Sequence, residues 1–255
     1  MNVANKAIIR KLASRFLRAG KTRNIVAIAA IVLTSVMFTS VFTIGINMIT
    51  TVQDQTMRMV GTSAHGGLKH LTMEQYEYIA GSPLFRDISY LKALGVADNA
   101  ELEKEYTEIS YAQDDMAVWQ FSFPTTGEMP RETHEIATST IVLDALGVPY
   151  KIGVQMNIEY AVGGEDHSDV FTLSGYWDGD TAIPAQRIWL SESYVDSIAP
   201  YYDPDNDFMA GAVMADVWFA NSMNVESKIS TMMSSPIATV CGSISPENPY
   251  PQFTP

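Results

Sequence analysis

Four histidines (His65, His70, His134 and His167) and a single cysteine, Cys241, are the residues best suited to bind a transition metal. With one cysteine there is no paired-cysteine half-site, and the histidines form no zinc ligand set with it, so they read as surface or packing residues. Asp178, Gly179 and Asp180 have the start of a calcium loop, but the ligand positions beyond them lack the required acids, which leaves a turn. No Gly-x-Ser-x-Gly elbow and no phosphate-binding Gly-rich loop ending in Lys-Ser or Lys-Thr occurs, so no Walker-type nucleotide hydrolysis is expected. Glu101, Glu103, Glu105 and Glu108 read as a solvated face. The 14 methionines, Met57, Met59, Met232 and Met233 among them, read as flexible core filler rather than a copper site. Trp119, Trp177, Trp189 and Trp218 are expected in the core or in a ligand groove. Neither a catalytic nor a cofactor-binding residue emerges.

The elements that would position any site are organised by one stretch. No charged residue lies between Arg23 and Asp54, and residues 25–49 are predominantly apolar. At about 1.5 Å per residue such a helix crosses a hydrocarbon layer of about 30 Å, so 24–50 is expected to span a membrane. Seven bases (Lys6, Arg10, Lys11, Arg15, Arg18, Lys21 and Arg23) precede it with no acid, while nine bases face all 29 acids beyond residue 53. Lys and Arg are retained on the cytoplasmic side, which predicts a cytoplasmic N-terminus and an extracytoplasmic acidic body in the cell membrane. That acidic body argues against nucleic-acid binding. A cleaved signal peptide is the rival, but its apolar region is usually only about 7–15 residues long, and no small-residue cleavage pair follows. An uncleaved anchor is expected. With one cysteine no intrachain disulfide can form, so the body must rest on its core.

Within residues 1–23, the segment 4–20 reads as a basic amphipathic helix with Ile8, Leu12 and Phe16 on one side, ended by Gly20. It either lies on anionic headgroups at the inner leaflet or is a basic flank that enforces topology. Arg10, Lys11, Arg15, Arg18, Lys21 and Arg23 would face that leaflet or a cytoplasmic partner. In the span, Ser35, Thr39 and Thr43 share one face and could pack against another helix. Alternatively, each hydroxyl bonds the carbonyl four residues back.

Beyond the span, 47–60 continues as a stalk ended by Gly61, followed by a loop around Gly66 and Gly67. A helix over 71–80 should be capped by Thr72 with Gln75 completing a capping box. Strands are expected at 87–93, 106–111 and 135–138, with 114–123 ambiguous between helix and strand. A helix over 139–146 is stopped by Gly147 and Pro149. Residues 154–162 alternate strictly, turn at Gly163–Gly164 and return over 170–175 as a β-hairpin. A strand over 187–190 leads into a helix over 191–198. Then 212–219 forms another strand and 224–233 a helix buried through Val225, Ile229, Met232 and Met233. Residues 236–255, crowded with prolines, read as an extended, weakly ordered tail.

Three segments resemble the FtsX-like/MacB-like ABC transporter permeases. Gly127, Glu128, Met129 and Pro130, followed by Glu135 and Ile136, resemble that family's Gly-x-Met-Pro … Glu-Ile segment. Leu146, Gly147, Val148, Tyr150, Ile152 and Gly153 resemble the step before its hairpin, and Phe171 to Tyr176 its returning strand. The likeness covers about residues 5–235 and carries no catalytic residue. The fold class expected is therefore α+β. One N-terminal transmembrane helix with its stalk leads to an extracytoplasmic mixed α/β domain over 51–235 with a β-hairpin-rich subdomain.

The resemblance implies a non-enzymatic permease component. ATP would be bound on a separate ABC ATPase subunit, and a second permease copy or half would share the bilayer. Motion would pass from ATPase to head for export or displacement of a peptide, lipid or antibiotic. The family has further spans after this domain and none occurs before Pro255, so a fragment or a half-permease is expected. A single-span anchored receptor module without transport is the alternative. An anchored extracellular hydrolase lacks any triad, metal or paired-carboxylate signature.

Overall fold

The computed structural model describes residues 6–203, 209–221 and 223–233. Cys241 and the proline-rich 236–255 segment lie outside them. The chain divides into two units, Met1–Val52 and Gln53–Pro255.

The first unit is helical. Helix α1, Lys6–Ala19, stops at Gly20, and α2 then runs unbroken from Lys21 to Val60. Ile8, Ile9, Leu12, Phe16 and Leu17 all stand exposed on α1. Helix α2 is long and apolar enough to cross a membrane, and none of its residues is buried. Several of its hydroxyls bond to their own helix. Thr34 donates to the Ala30 carbonyl (2.8 Å), Thr39 to Ser35 (2.9 Å) and Ser40 to Val36 (2.8 Å). The Thr39 bond is local because a hydroxyl on an apolar helix has its i−4 carbonyl within reach.

The second unit is an α+β head built on one mixed sheet. Its strands are β1 (Gly66–Leu71), β2 (Phe85–Val96), β3 (Thr107–Ala112), β4 (Thr126–Gly127), β5 (Glu135–Ser139), β6 (Gln155–Val162), β7 (Glu165–Trp177), β8 (Gln186–Leu190) and β9 (Val213–Phe219). They lie in the order β1-β9-β2-β3-β8-β5-β7-β4, with β6 pairing β7. β3–β8 and β5–β7 are parallel and the other pairs antiparallel. Five helices join them: α3 (Met73–Ala80), α4 (Asp114–Trp119), α5 (Thr140–Ala145), α6 (Glu192–Ile198) and α7 (Val225–Met233).

Local chemistry accounts for most boundaries. Thr72 and Gln75 form the expected capping box on α3. Ser139 and Ser191 cap α5 and α6 by accepting from Val142 and Tyr194 N–H groups, so each parallel partner strand runs straight into a capped helix. Gly147, at φ +67°, ends α5 in the left-handed region. Gly163 and Gly164 both have positive φ, the condition for a tight two-residue hairpin turn, and Val162 pairs Glu165 across it. Met156, Ile158 and Tyr160 point inward from β6, packing with Phe171 and Leu173 of β7 in the largest core cluster.

Five expectations need correction. The loop expected at Gly66–Gly67 is strand β1, and Leu71 ends that strand instead of opening a helix. The glycines serve close packing: a Cβ on Gly66 would sit 3.3 Å from Ile229 of α7, and one on Gly67 would sit 3.3 Å from the Asp216 carboxylate. Strand β7 begins at Glu165, not near 170, because the whole of β6 pairs with Glu165–Thr172 despite that segment's polar start. Met59 is exposed, not core filler. Glu108 is not on a solvated face: it lies in β3 opposite Arg187 of the parallel strand β8, and the two form an ion pair. The ambiguous 114–123 segment contains the short helix α4.

Candidate functional site

The chemistry of the head concentrates where α2 ends within it. Gly61, at φ +87°, closes the helix, its N–H donating to the Met57 carbonyl (2.9 Å). The next residues are stitched down one after another. Thr62 Oγ1 donates to Asp216 Oδ2 (2.7 Å), Ser63 N–H to the Trp119 carbonyl (2.9 Å) and His65 N–H to the Val217 carbonyl (3.0 Å). Arg58, in the last turn of α2, pairs with Asp180 and lies over the Phe121 ring at 5.7 Å. Asp180 also accepts from the Ala182 N–H (2.8 Å). That bond and Arg58 hold its carboxyl below the usual carboxylate range. The expected turn lies one step later, over 180–183, where Ile183 N–H donates to the Asp180 carbonyl (3.2 Å), and Asp180 there fastens a helix end.

Beside this junction lies a partly enclosed cavity of about 160 Å³. Its walls come from the α2 exit (Val60–Thr62), β1 (Gly67–Lys69), β3 (Glu108), α4 (Met116) and the adjoining Gln120, β8 (Arg187) and β9 (Met214, Asp216). Two charges of opposite sign define it, Asp216 buried and Arg187 partly buried. Burial pushes the Asp216 carboxyl above its ordinary value, opposed by hydrogen bonds from Thr62 and Gln120 and by the positive charges of Arg187 and Lys69. Burial lowers Arg187 to about 10, opposed by Asp216, so the guanidinium stays charged at neutral pH. Gln120 is more than nine-tenths buried, and its Oε1 has no hydrogen-bond partner among the described residues.

Sequence reasoning singled out none of these residues for a site. One signal was present: Asp216 and Arg187 are lone charges inside short, largely apolar strands, where burial requires partners. The four histidines are scattered. His65 is buried, its Nδ1 accepting from Phe219 N–H (3.1 Å); burial first, then the nearby Arg86 and Lys228, lowers it to about 4. His134 packs on Phe171 and Tyr194, and His167 stacks on Tyr160 at 5.2 Å. Among the described residues, no group of three or more His, Cys, Asp or Glu could hold a metal ion. Of the tryptophans, Trp177 and Trp189 are buried, and Trp189 Nε1 donates to the Ser122 carbonyl (2.8 Å). Ser35, Thr39 and Thr43 are exposed on α2. Arg10, Lys11, Arg15 and Arg18 are exposed on α1, and Lys21 and Arg23 at the start of α2.

The residues of the permease resemblance have structural roles. Gly127, at φ +80°, pairs with Gly175 where β4 meets β7, and a Cβ on Gly127 would lie 2.1 Å from the Ser174 carbonyl. Met129 is buried, and Gly153, at φ +87°, donates its N–H to the Leu173 carbonyl (2.8 Å) as the chain enters β6.

No protein-family model matches the chain, and no curated protein matches it. Solved structures similar to it include the periplasmic region of MacB from Actinobacillus actinomycetemcomitans, with 8% identity over 66% of this chain and 75% of that one, at a TM-score of 0.40. Another is the extracellular domain of the noncanonic ABC-type transporter YknZ from Gram-positive bacteria, with 9% identity over 64% of this chain and 88% of that one, at a TM-score of 0.40.

Proposed function

We propose that the chain is the N-terminal span and extracytoplasmic head of an ABC transporter permease component. A separate cytoplasmic ATPase would drive it, and α2 would relay the motion to the head. The observation that carries this reading is the unbroken course of α2 from Lys21 to Val60, led by a basic, acid-free segment and ending in an acidic domain. Forty residues extend about 60 Å at 1.5 Å each, twice the thickness of a hydrocarbon layer, so roughly half the helix is available as stalk. The excess of Lys and Arg ahead of it supports a cytoplasmic N-terminus. The Arg58–Asp180 pair and the stitched segment 62–65 would keep the helix end from slipping against the head.

In this reading Arg10, Lys11, Arg15, Arg18, Lys21 and Arg23 meet the inner leaflet or the ATPase. Ser35, Thr39 and Thr43 face a second permease copy or half, and the cargo is a peptide, lipid or antibiotic. Detergent-solubilised full chain should co-purify with an ABC ATPase and lose it when residues 1–23 are removed. Replacing Ser35, Thr39 and Thr43 together with Leu should weaken cross-linking to partner spans without impairing insertion. If no ATPase binds, an anchored receptor module takes the place of the permease.

A further inference from the structure

The cavity beside Gly61 combines features that narrow what can occupy it. Asp216 accepts from Thr62, and Arg187 pairs with Glu108, so each charge is anchored by a partner while still lining the cavity. A guanidinium carries five N–H donors and a carboxylate about four acceptor sites, so both keep capacity beyond those bonds. Gln120, on the same wall, presents a buried amide oxygen that no donor among the described residues reaches. Met116, Met214 and Leu91 complete the lining with apolar surface, and methionine adapts readily to small differences in shape.

A simple anion in this space would be repelled by Asp216 and Glu108, and a simple cation by Arg187 and Lys69. A molecule carrying both a carboxylate and an ammonium meets a complement for each. Size sets the other limit. A volume of 160 Å³ holds about five waters at roughly 30 Å³ each, well below the several hundred Å³ of pockets for drug-sized ligands. Peptides, lipids and antibiotics are too large.

We propose that this cavity is a binding site for a small zwitterion, a free amino acid the size of glycine or alanine. Its carboxylate turns toward Arg187, and its ammonium toward Asp216 and the Gln120 amide oxygen. The site borders Gly61 and Thr62, the residues by which the chain leaves α2, so its occupancy braces that exit. The proposal is independent of the permease reading, since it uses only groups in the head and requires no ATPase.

The test is isothermal titration of the full chain in lipid nanodiscs with glycine, L-alanine and D-alanine. Acetate and methylammonium serve as half-ligands. At least one amino acid should bind saturably with a Kd under about 1 mM, while neither half-ligand saturates at tenfold higher concentration. Arg187→Gln should abolish binding. Because that change can unfold the head, a second variant is Gln120→Met, which keeps the volume, removes the amide oxygen together with the amide's hydrogen bond to Asp216, and should weaken binding about tenfold or more. The proposal is overturned if acetate binds as well as glycine, if Gln120→Met binds like the parent, or if no amino acid binds up to about 10 mM.

Discussion

The β6–β7 hairpin and the cavity wall formed by β3, β8 and β9 belong to one sheet but are filled in opposite ways. In the hairpin, Met156, Ile158, Tyr160, Phe171 and Leu173 face inward and Glu159 and Ser168 outward, the ordinary division of a half-buried strand pair. In the cavity wall, Glu108, Arg187 and Asp216 turn inward. The hairpin is held by apolar area, which is non-directional and forgiving of repacking. The wall is held by pairing, where each charge tolerates burial only because its partner is in place. A sheet can therefore carry a polar site wherever paired charges interrupt its apolar lining.

The sharpest test of that contrast is Arg187→Met. Leaving Glu108 and Asp216 without their cation should cost up to about 3 kcal/mol in chemical denaturation, since the pair is only partly buried, and adding Glu108→Leu should recover part of it. In the hairpin, Ile158→Ala should cost about 2–5 kcal/mol through lost contact and cavity, with no second change able to restore it by charge removal. If the Glu108→Leu double variant gave no recovery, the cavity wall would not be organised by pairing.

Next comes pH. His65 has a folded-state value of about 4, below the ordinary 6.5, so the neutral form is favoured on folding. Its contribution is complete above pH 6.5 and is lost as pH falls from 6.5 toward 4, by at most about 3 kcal/mol. Denaturation midpoints of the parent and His65→Phe across that window should converge as the pH falls. A parallel offset would assign the acid sensitivity elsewhere. The smallest effect belongs to the Arg58–Asp180 pair, in which Arg58 is about half exposed. Arg58→Ala should change stability by less than about 1 kcal/mol. A loss as large as that of Arg187→Met would erase the distinction between exposed and partly buried pairs.

Legibility followed the same division. The capping box at Thr72 and Gln75, the stop at Gly147, the hairpin with its Gly163–Gly164 turn and the helix end at Gly61 were all readable, because each depends on residues a few positions apart. Strand β1 was missed because paired glycines read as a turn, whereas here they admit Ile229 and Asp216 to close approach. Glu108 was misplaced among neighbouring acids because its partner, Arg187, belongs to a distant parallel strand. The cavity went unseen for the same reason.

What the sequence alone determined is the local grammar of the chain: an apolar stretch long enough for a bilayer, an acid-free basic lead, an acidic body, and strands and helices with their caps. These follow from periodicity and composition, which act over one or two turns of chain. Tertiary structure decided which charges meet. Thr62 and Asp216 stand 154 residues apart and bond only because β9 is laid beside β1 below the α2 exit. A buried charge is stable only with its partner at hand, and only the closed sheet determines which partner that is.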